Sequence, residues 1–177
     1  YVLDYLMDEV FQRQPADVQD FLLKTSILEH FTARLCDRVT QRGDSRDVLL
    51  NLEQANLFIV PLDDARRWYR FHRLFADLLS QQLRQAALDT PTSELHRRAS
   101  RWYEAEGFHR DAIRHALAAS DWERAGELLL QVDDAMLRRG EVVTLLGWLR
   151  KVPGETLRSR PQLYPGYSWA LILTSQL

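Results

Sequence analysis

The sequence predicts a mainly α-helical chain: a winged-helix domain carrying one small β-hairpin, followed by antiparallel helical-hairpin repeats of the tetratricopeptide kind. Three observations predict it. Only the stretch Ala55–Leu83 departs from helical periodicity and supplies two short strands with a turn between them. Asp89-Thr90-Pro91-Thr92-Ser93 holds a proline and no large apolar side chain, which marks a break in the chain. Beyond it, the spacing A-x-x-W-Y-x-x-x-G-x-x-x-x-A-I from Ala99 to Ile113 suits helix pairs, because alanine and glycine allow close approach while the aromatic residues pack on the next pair.

The elements follow in order. Val2, Leu3, Leu6, Val10 and Phe11 lie on one face of a first helix ending near Gln14-Pro15. Pro15 suits the start of a second helix, where a missing N–H costs nothing, and that helix closes near Thr25-Ser26. Thr32 is a good N-cap for a short third helix over Leu35–Val39. Asp44 or Ser45 caps the fourth, whose inward stripe is Val48, Leu49, Leu52 and Ala55. Leu57–Val60 reads as a strand and Asp63–Arg66 as a turn. Arg67 to His72 forms the second strand, with Trp68, Arg70 and His72 on one face and Tyr69 and Phe71 on the other. Leu74, Phe75, Leu78 and Leu79 begin a helix running to about Ala87.

The expected organisation is a linker helix over 1–14, a winged helix over 15–90, and the start of a repeat domain over 91–177. Within the last, Leu95, Ala99, Trp102 and Tyr103 give a helix stopped by Gly107, and Ala112, Ile113, Ala116 and Leu117 give its partner. Asp121 caps a helix through Ala125, Leu128, Leu129 and Val132. Val142 to Leu149 makes another, ended by Pro153, and Tyr167 to Leu173 carries a last apolar run. Opening at Tyr1 within a helical pattern and stopping on an apolar run, the chain reads as a piece of something longer.

Composition bounds the function. Hydrophobic residues at 46%, charged residues at 27% and a formal charge of −2 fit an ordinary globular protein and not one whose task is neutralising phosphates. The lone Cys36 excludes an internal disulfide and a cysteine zinc site, and within an apolar helix it reads as a buried thiol. No apolar run nears the roughly 20 residues of a membrane span, so a cytoplasmic protein is expected.

Catalytic patterns are missing: no G-x-x-x-x-G-K-[ST], no G-x-S-x-G, and no cluster of metal ligands. His30, His72, His96, His109 and His115 are scattered, and Asp133-Asp134 reads as a helix start. This stretch is not expected to be an enzyme by itself. DNA reading by a recognition helix over Asp47–Asn56 is disfavoured, since only Arg46 is basic beside Asp47, Asn51, Glu53 and Gln54. His72, where strand turns into helix, has two readings. It is a functional imidazole among Arg66, Arg67, Arg70 and Arg73, or a half-buried ring bonded to a backbone carbonyl.

Leu50, the run Ala55-Asn56-Leu57-Phe58-Ile59-Val60-Pro61-Leu62-Asp63, and Trp68-Tyr69-Arg70-Phe71-His72-Arg73-Leu74-Phe75-Ala76-Asp77-Leu78-Leu79 resemble the MalT-type regulators. The likeness continues through His96-Arg97-Arg98-Ala99, Ala112-Ile113-x-His115-Ala116-Leu117, Asp121-Trp122, Arg139-Gly140-Glu141 and Trp148-Leu149. That family comprises ATP-dependent bacterial transcription activators. A signal-transduction ATPase comes first, then a winged helix, then repeats that sense inducer, then a LuxR-type DNA-binding domain.

The resemblance implies that this chain is the middle segment, with no cofactor of its own and ATP or ADP bound elsewhere in the parent. Its implied partners are the intramolecular ATPase domain, a small-molecule or protein inducer met through the repeats, and further copies of the parent, with no membrane and no direct DNA binding. Phe71-His72 is similar to the wider class's hydrophobic-His-Asp motif, whose histidine contacts the β-phosphate of ADP. The resemblance therefore implies that His72 is a phosphate sensor. Arg73 stands where the wider class has aspartate; that aspartate's role does not transfer, while an arginine suits a place near phosphate. The rival expectation is a stand-alone helical-repeat interaction scaffold.

Overall fold

The computed structural model describes residues 6–56, 58–86 and 88–174. Its described helices are α1 Ala16–Thr25, α2 Ala33–Thr40, α3 Ser45–Gln54, α4 Arg73–Gln85, α5 Thr92–Ala105, α6 His109–Ala118, α7 Trp122–Arg138, α8 Val142–Leu149, α9 Gly154–Ser159 and α10 Leu163–Thr174. The strands are β1 Ile59–Pro61 and β2 Tyr69–Phe71. Among the described residues the fold is mainly α with a single antiparallel hairpin, as the sequence predicts. Contacts divide it into two compact units, one ending at Leu95 and the other beginning at His96.

The first unit opens with a short π-helical turn over Leu6–Phe11, where the Gln12 N–H donates to the Met7 carbonyl at 2.9 Å. Val2 and Leu3 of the expected first helix lie outside the described residues. Pro15 precedes α1 and lends its carbonyl to the N–H groups of Val18 and Gln19, so its own lack of N–H is harmless. The helix ends where expected: the Thr25 and Ser26 hydroxyls bond back to the carbonyls of Phe21 and Leu23, each at 2.7 Å. Thr32 caps α2, its hydroxyl accepting from the Leu35 N–H at 3.2 Å.

The cap of α3 differs from expectation. Asp44 occupies the N-cap position without capping, because the Arg42 guanidinium holds its carboxylate through two bonds of 2.8 Å. Asp37 serves instead, accepting from the Ser45 N–H at 3.1 Å.

The hairpin pairs Ile59 with Phe71, Val60 with Arg70 and Pro61 with Tyr69. Both backbone groups of Tyr69 bond to Phe31 at 2.8 Å, so Pro61 faces a residue whose hydrogen bonds are already made. The expected alternation is present: Tyr69 and Phe71 are buried, Arg70 and His72 are exposed, and Trp68 is half-buried. The first strand begins later than expected, because Phe58 has φ 54, outside the extended region; Leu57 lies outside the described residues. Asp63 fixes the turn by accepting from the Arg67 N–H at 2.7 Å and the Trp68 N–H at 3.4 Å. Phe21, Phe31, Leu35, Leu49, Phe75 and Leu79 fill the core, each large apolar side chain stabilising by about 1.5–3 kcal/mol. Cys36 is fully buried among them and burial pushes its thiol pKa up, which makes it a structural thiol.

In the chain's second half two segments differ from the expectation. Thr92 and Ser93 belong to α5, for Pro91 supplies the first carbonyl of that helix to Glu94 and Leu95. Asp133 and Asp134 lie in the interior of α7 and do not start a helix; the apolar run Leu128-Leu129-Leu130 before them and Met136-Leu137 after them carry the helix through.

The second unit, from His96, is built of successive antiparallel helices. Gly107 at φ 81 turns α5 into α6, and Gly140 at φ 74 turns α7 into α8, both in the left-handed region that suits glycine. Asp121 caps α7 by accepting from the Arg124 N–H at 3.3 Å, as expected. Tyr103, Ile113, Leu128, Leu129, Leu145 and Leu149 form its core, and Val142, Leu146 and Ala170 form a further cluster that joins α8 to α10. Helix α9 has no counterpart in the sequence reading; at six residues its stripe is too short to read.

Candidate functional site

His72 stands at the N-cap position of α4 with φ −60 and ψ 139. Its backbone is fixed on both sides. The N–H donates to the Phe58 carbonyl at 2.6 Å, and the carbonyl accepts from Phe75 at 3.0 Å and Ala76 at 2.9 Å. The ring is exposed and meets Phe58 edge-on at 6.2 Å between centroids. The ring is thus not half-buried against a backbone carbonyl but an exposed imidazole on a fixed backbone. Beneath it, Phe75 packs on Phe58 at 5.7 Å and on Phe71 at 6.0 Å, which ties the strand-to-helix junction to the core.

The surrounding arginines divide into two kinds. Arg66 pairs with Glu53 of α3 at 3.2 Å, and Arg67 pairs with Asp63 at 3.5 Å. Arg70 and Arg73 are exposed and pair with no described residue. A histidine donor flanked by two such cations suits an anion delivered from outside. Helix α3, where a DNA reader would lie, presents Asp47, Asn51 and Gln54 to solvent with only Arg46 basic.

In the second unit the structure brings together two histidines that look scattered in sequence. The Nδ1 atoms of His96 on α5 and His115 on α6 lie 2.8 Å apart, so one ring donates and the other accepts. His115 is 2% exposed and stacks on Tyr103 at 5.3 Å. Burial, reinforced by the nearby Arg114, lowers the His96 pKa from 6.5 to about 4. The Ser100 hydroxyl donates to the Ala112 carbonyl at 2.8 Å beside this pair. The clue in the sequence is that His96, Ala99, Ser100 and Tyr103 share one face of α5. His109, at the start of α6, stands apart from the pair. Among the described residues no group of three or more His, Cys, Asp or Glu side chains is placed to hold a metal, and no helix is long and apolar enough to cross a membrane.

Residues 7–91 match the MalT winged helix domain family. The chain is 35% identical over 170 residues to the HTH-type transcriptional regulator MalT of Vibrio parahaemolyticus, covering 96% of this chain and 19% of that protein. It is 34% identical over 172 residues to the MalT of Klebsiella pneumoniae, covering 97% of this chain and 19% of that protein. It is also 32% identical over 170 residues to the serine/threonine-protein kinase PknK of Mycobacterium tuberculosis, covering 96% of this chain and 15% of the kinase. The chain thus spans less than a fifth of each of these relatives. The matched stretch spans nearly the whole chain, which is similar to a segment of these regulators, with residues 7–91 resembling the MalT winged helix domain.

Proposed function

We propose that this chain is the regulatory middle of a nucleotide-switched bacterial transcription activator. In this reading the winged helix holds the ADP-bound resting state by presenting His72 to the diphosphate on a neighbouring ATPase domain. Arg73 adds positive charge at the same place, and the helices from α5 onward lead into an inducer-sensing superhelix. Exchange of ADP for ATP, together with inducer, breaks the contact and frees the protein to self-associate. The mechanism is a two-state element biased by contacts that differ between its states.

The observation that carries the reading is the exposed His72 ring on a fixed backbone, beside Arg70 and Arg73. With the backbone already fixed, only the side-chain rotamer of the donor is left to be ordered when it meets a phosphate. Such a role makes the segment portable between output domains. A shared segment in a kinase and in transcription regulators agrees with that.

The test is a reporter assay on the longer protein. With His72→Ala the requirement for inducer should fall, because the resting state loses its contact. Unchanged inducer dependence refutes the reading.

A second reading, an interaction scaffold, has its own observation: α10 leaves Trp169 57% and Ile172 48% exposed, an apolar face that fits protein contact. Nucleotide bound to the purified longer protein separates the two, since the scaffold requires none.

A further inference from the structure

A groove of about 480 Å³ runs between the start of α1 and α3 in the first unit. One wall is a single stripe of α3 and its two cap residues: Asp44, then Asp47 and Val48, then Asn51 and Leu52, then Ala55. At about 1.5 Å per residue that stripe is about 16 Å long, the span of a short bound segment. Pro15 and Val18 face it from the other side, so the floor is apolar.

The rim is acidic. Asp17 and Asp44 are exposed carboxylates held in place by one cation, Arg42. The Arg42 guanidinium bonds both oxygens of Asp44 at 2.8 Å, reaches the Asp17 carbonyl at 3.1 Å, and lies over the Phe21 ring at 5.9 Å. These bonds keep Asp44 ionised, holding its carboxyl below the usual carboxylate range. Asp47 is exposed and pairs with no described cation. Three carboxylates against one guanidinium leave the rim net negative. That repels a phosphate backbone, although α3 is the helix a winged helix would offer to DNA.

We infer that this groove is a protein-docking site for a cationic amphipathic segment, whose apolar side chains seat against Pro15, Val18 and Ala55 while its Lys or Arg side chains meet Asp47 and Asp17. The chemistry follows from the lining: an apolar floor accepts the buried face of such a segment, and an acidic rim selects its charge. Asn51, exposed at mid-groove, supplies a donor and an acceptor for the bound backbone. The inference is independent of the role given to His72, which lies outside the groove lining.

The test uses the 177-residue chain and two labelled peptides of one length, one of Leu and Lys in amphipathic order and one with Glu replacing every Lys. Fluorescence anisotropy should show binding of the Leu/Lys peptide and not of the Leu/Glu peptide. Amide shifts should move at Asp47, Val48, Asn51 and Leu52. Asp47→Lys should weaken binding about tenfold, while Asp64→Lys, the same charge change on the hairpin turn, should leave it within about twofold. Asn51→Lys, away from the first turn of α3, should repeat the loss if Asp47→Lys disturbs the helix. Equal weakening by Asp64→Lys, shifts confined elsewhere, equal binding of the Leu/Glu peptide, or no binding at all would overturn the inference. Displacement of the peptide by duplex DNA at Asp47 and Asn51 would overturn it in favour of a nucleic-acid surface.

Discussion

Acid should unfold the second unit through His96, by an amount that follows from its surroundings. In the unfolded chain this imidazole takes a proton near pH 6.5; in the folded chain, burial and Arg114 hold it neutral down to about pH 4. The pKa is lowered in the fold, so the contribution to stability is fully present above pH 6.5. It is lost as the pH falls from there towards 4. At about 1.36 kcal/mol per pH unit, the full loss is about 3 kcal/mol, a large part of a domain's usual stability. The pair geometry agrees in direction, since one proton between the two Nδ1 atoms makes a bond and a second turns it into a repulsion. Urea unfolding followed by tryptophan fluorescence reports on this unit, because four of the five tryptophans, Trp102, Trp122, Trp148 and Trp169, lie in it. The wild type should lose about 1.4 kcal/mol per pH unit more than His96→Gln between pH 6.5 and 4. Using the difference removes the contribution of carboxylates common to both proteins. Identical slopes, or a wild type that gains stability on acidification, would show that His96 is not held neutral by the fold.

Three further outcomes follow. Thr32→Ala removes the cap of α2, with its bond of 3.2 Å to Leu35, and should cost about 1 kcal/mol in urea unfolding. Phe75→Ala empties the core beneath His72 and should cost about 3–5 kcal/mol, read by the loss of hairpin amide protection in hydrogen exchange. Lys24 has a side chain only 8% exposed and pairs with Asp20 and Asp89, each at 2.8 Å. Lys24→Met should stay within about 1 kcal/mol of wild type in thermal unfolding, whereas Asp20→Ala with Asp89→Ala should cost more, because it leaves that cation buried with neither carboxylate.

Much of the fold was legible because short-range chemistry decides it. Thr32 and Asp121 cap where a hydroxyl and a carboxylate precede apolar periodicity. Tyr69 and Phe71 turn inward against Arg70 because strands alternate. What was not legible depends on partners distant in sequence or on local competition. Asp44 looks like a cap until Arg42 takes its carboxylate, and Asp37, eight residues from Ser45, does the capping. His96 and His115 meet only because α5 and α6 pack as a hairpin, a contact nineteen residues long in sequence. The groove beside α3 is likewise invisible in the chain, for Pro15 and Val18 face Val48 and Leu52 only once α1 and α3 are assembled. His72 was placed correctly at the strand-to-helix junction from Arg67–His72 alternation, while the exposure of its ring was a finding of the structure.

Whether His72 reaches a bound diphosphate decides between the switch and the scaffold. The direct measurement is to purify the longer protein with and without His72→Ala, release its nucleotide with acid, and quantify ADP by chromatography. ADP should be retained by the wild type and lost by the variant; equal ADP in both would leave His72 without a role at the phosphate.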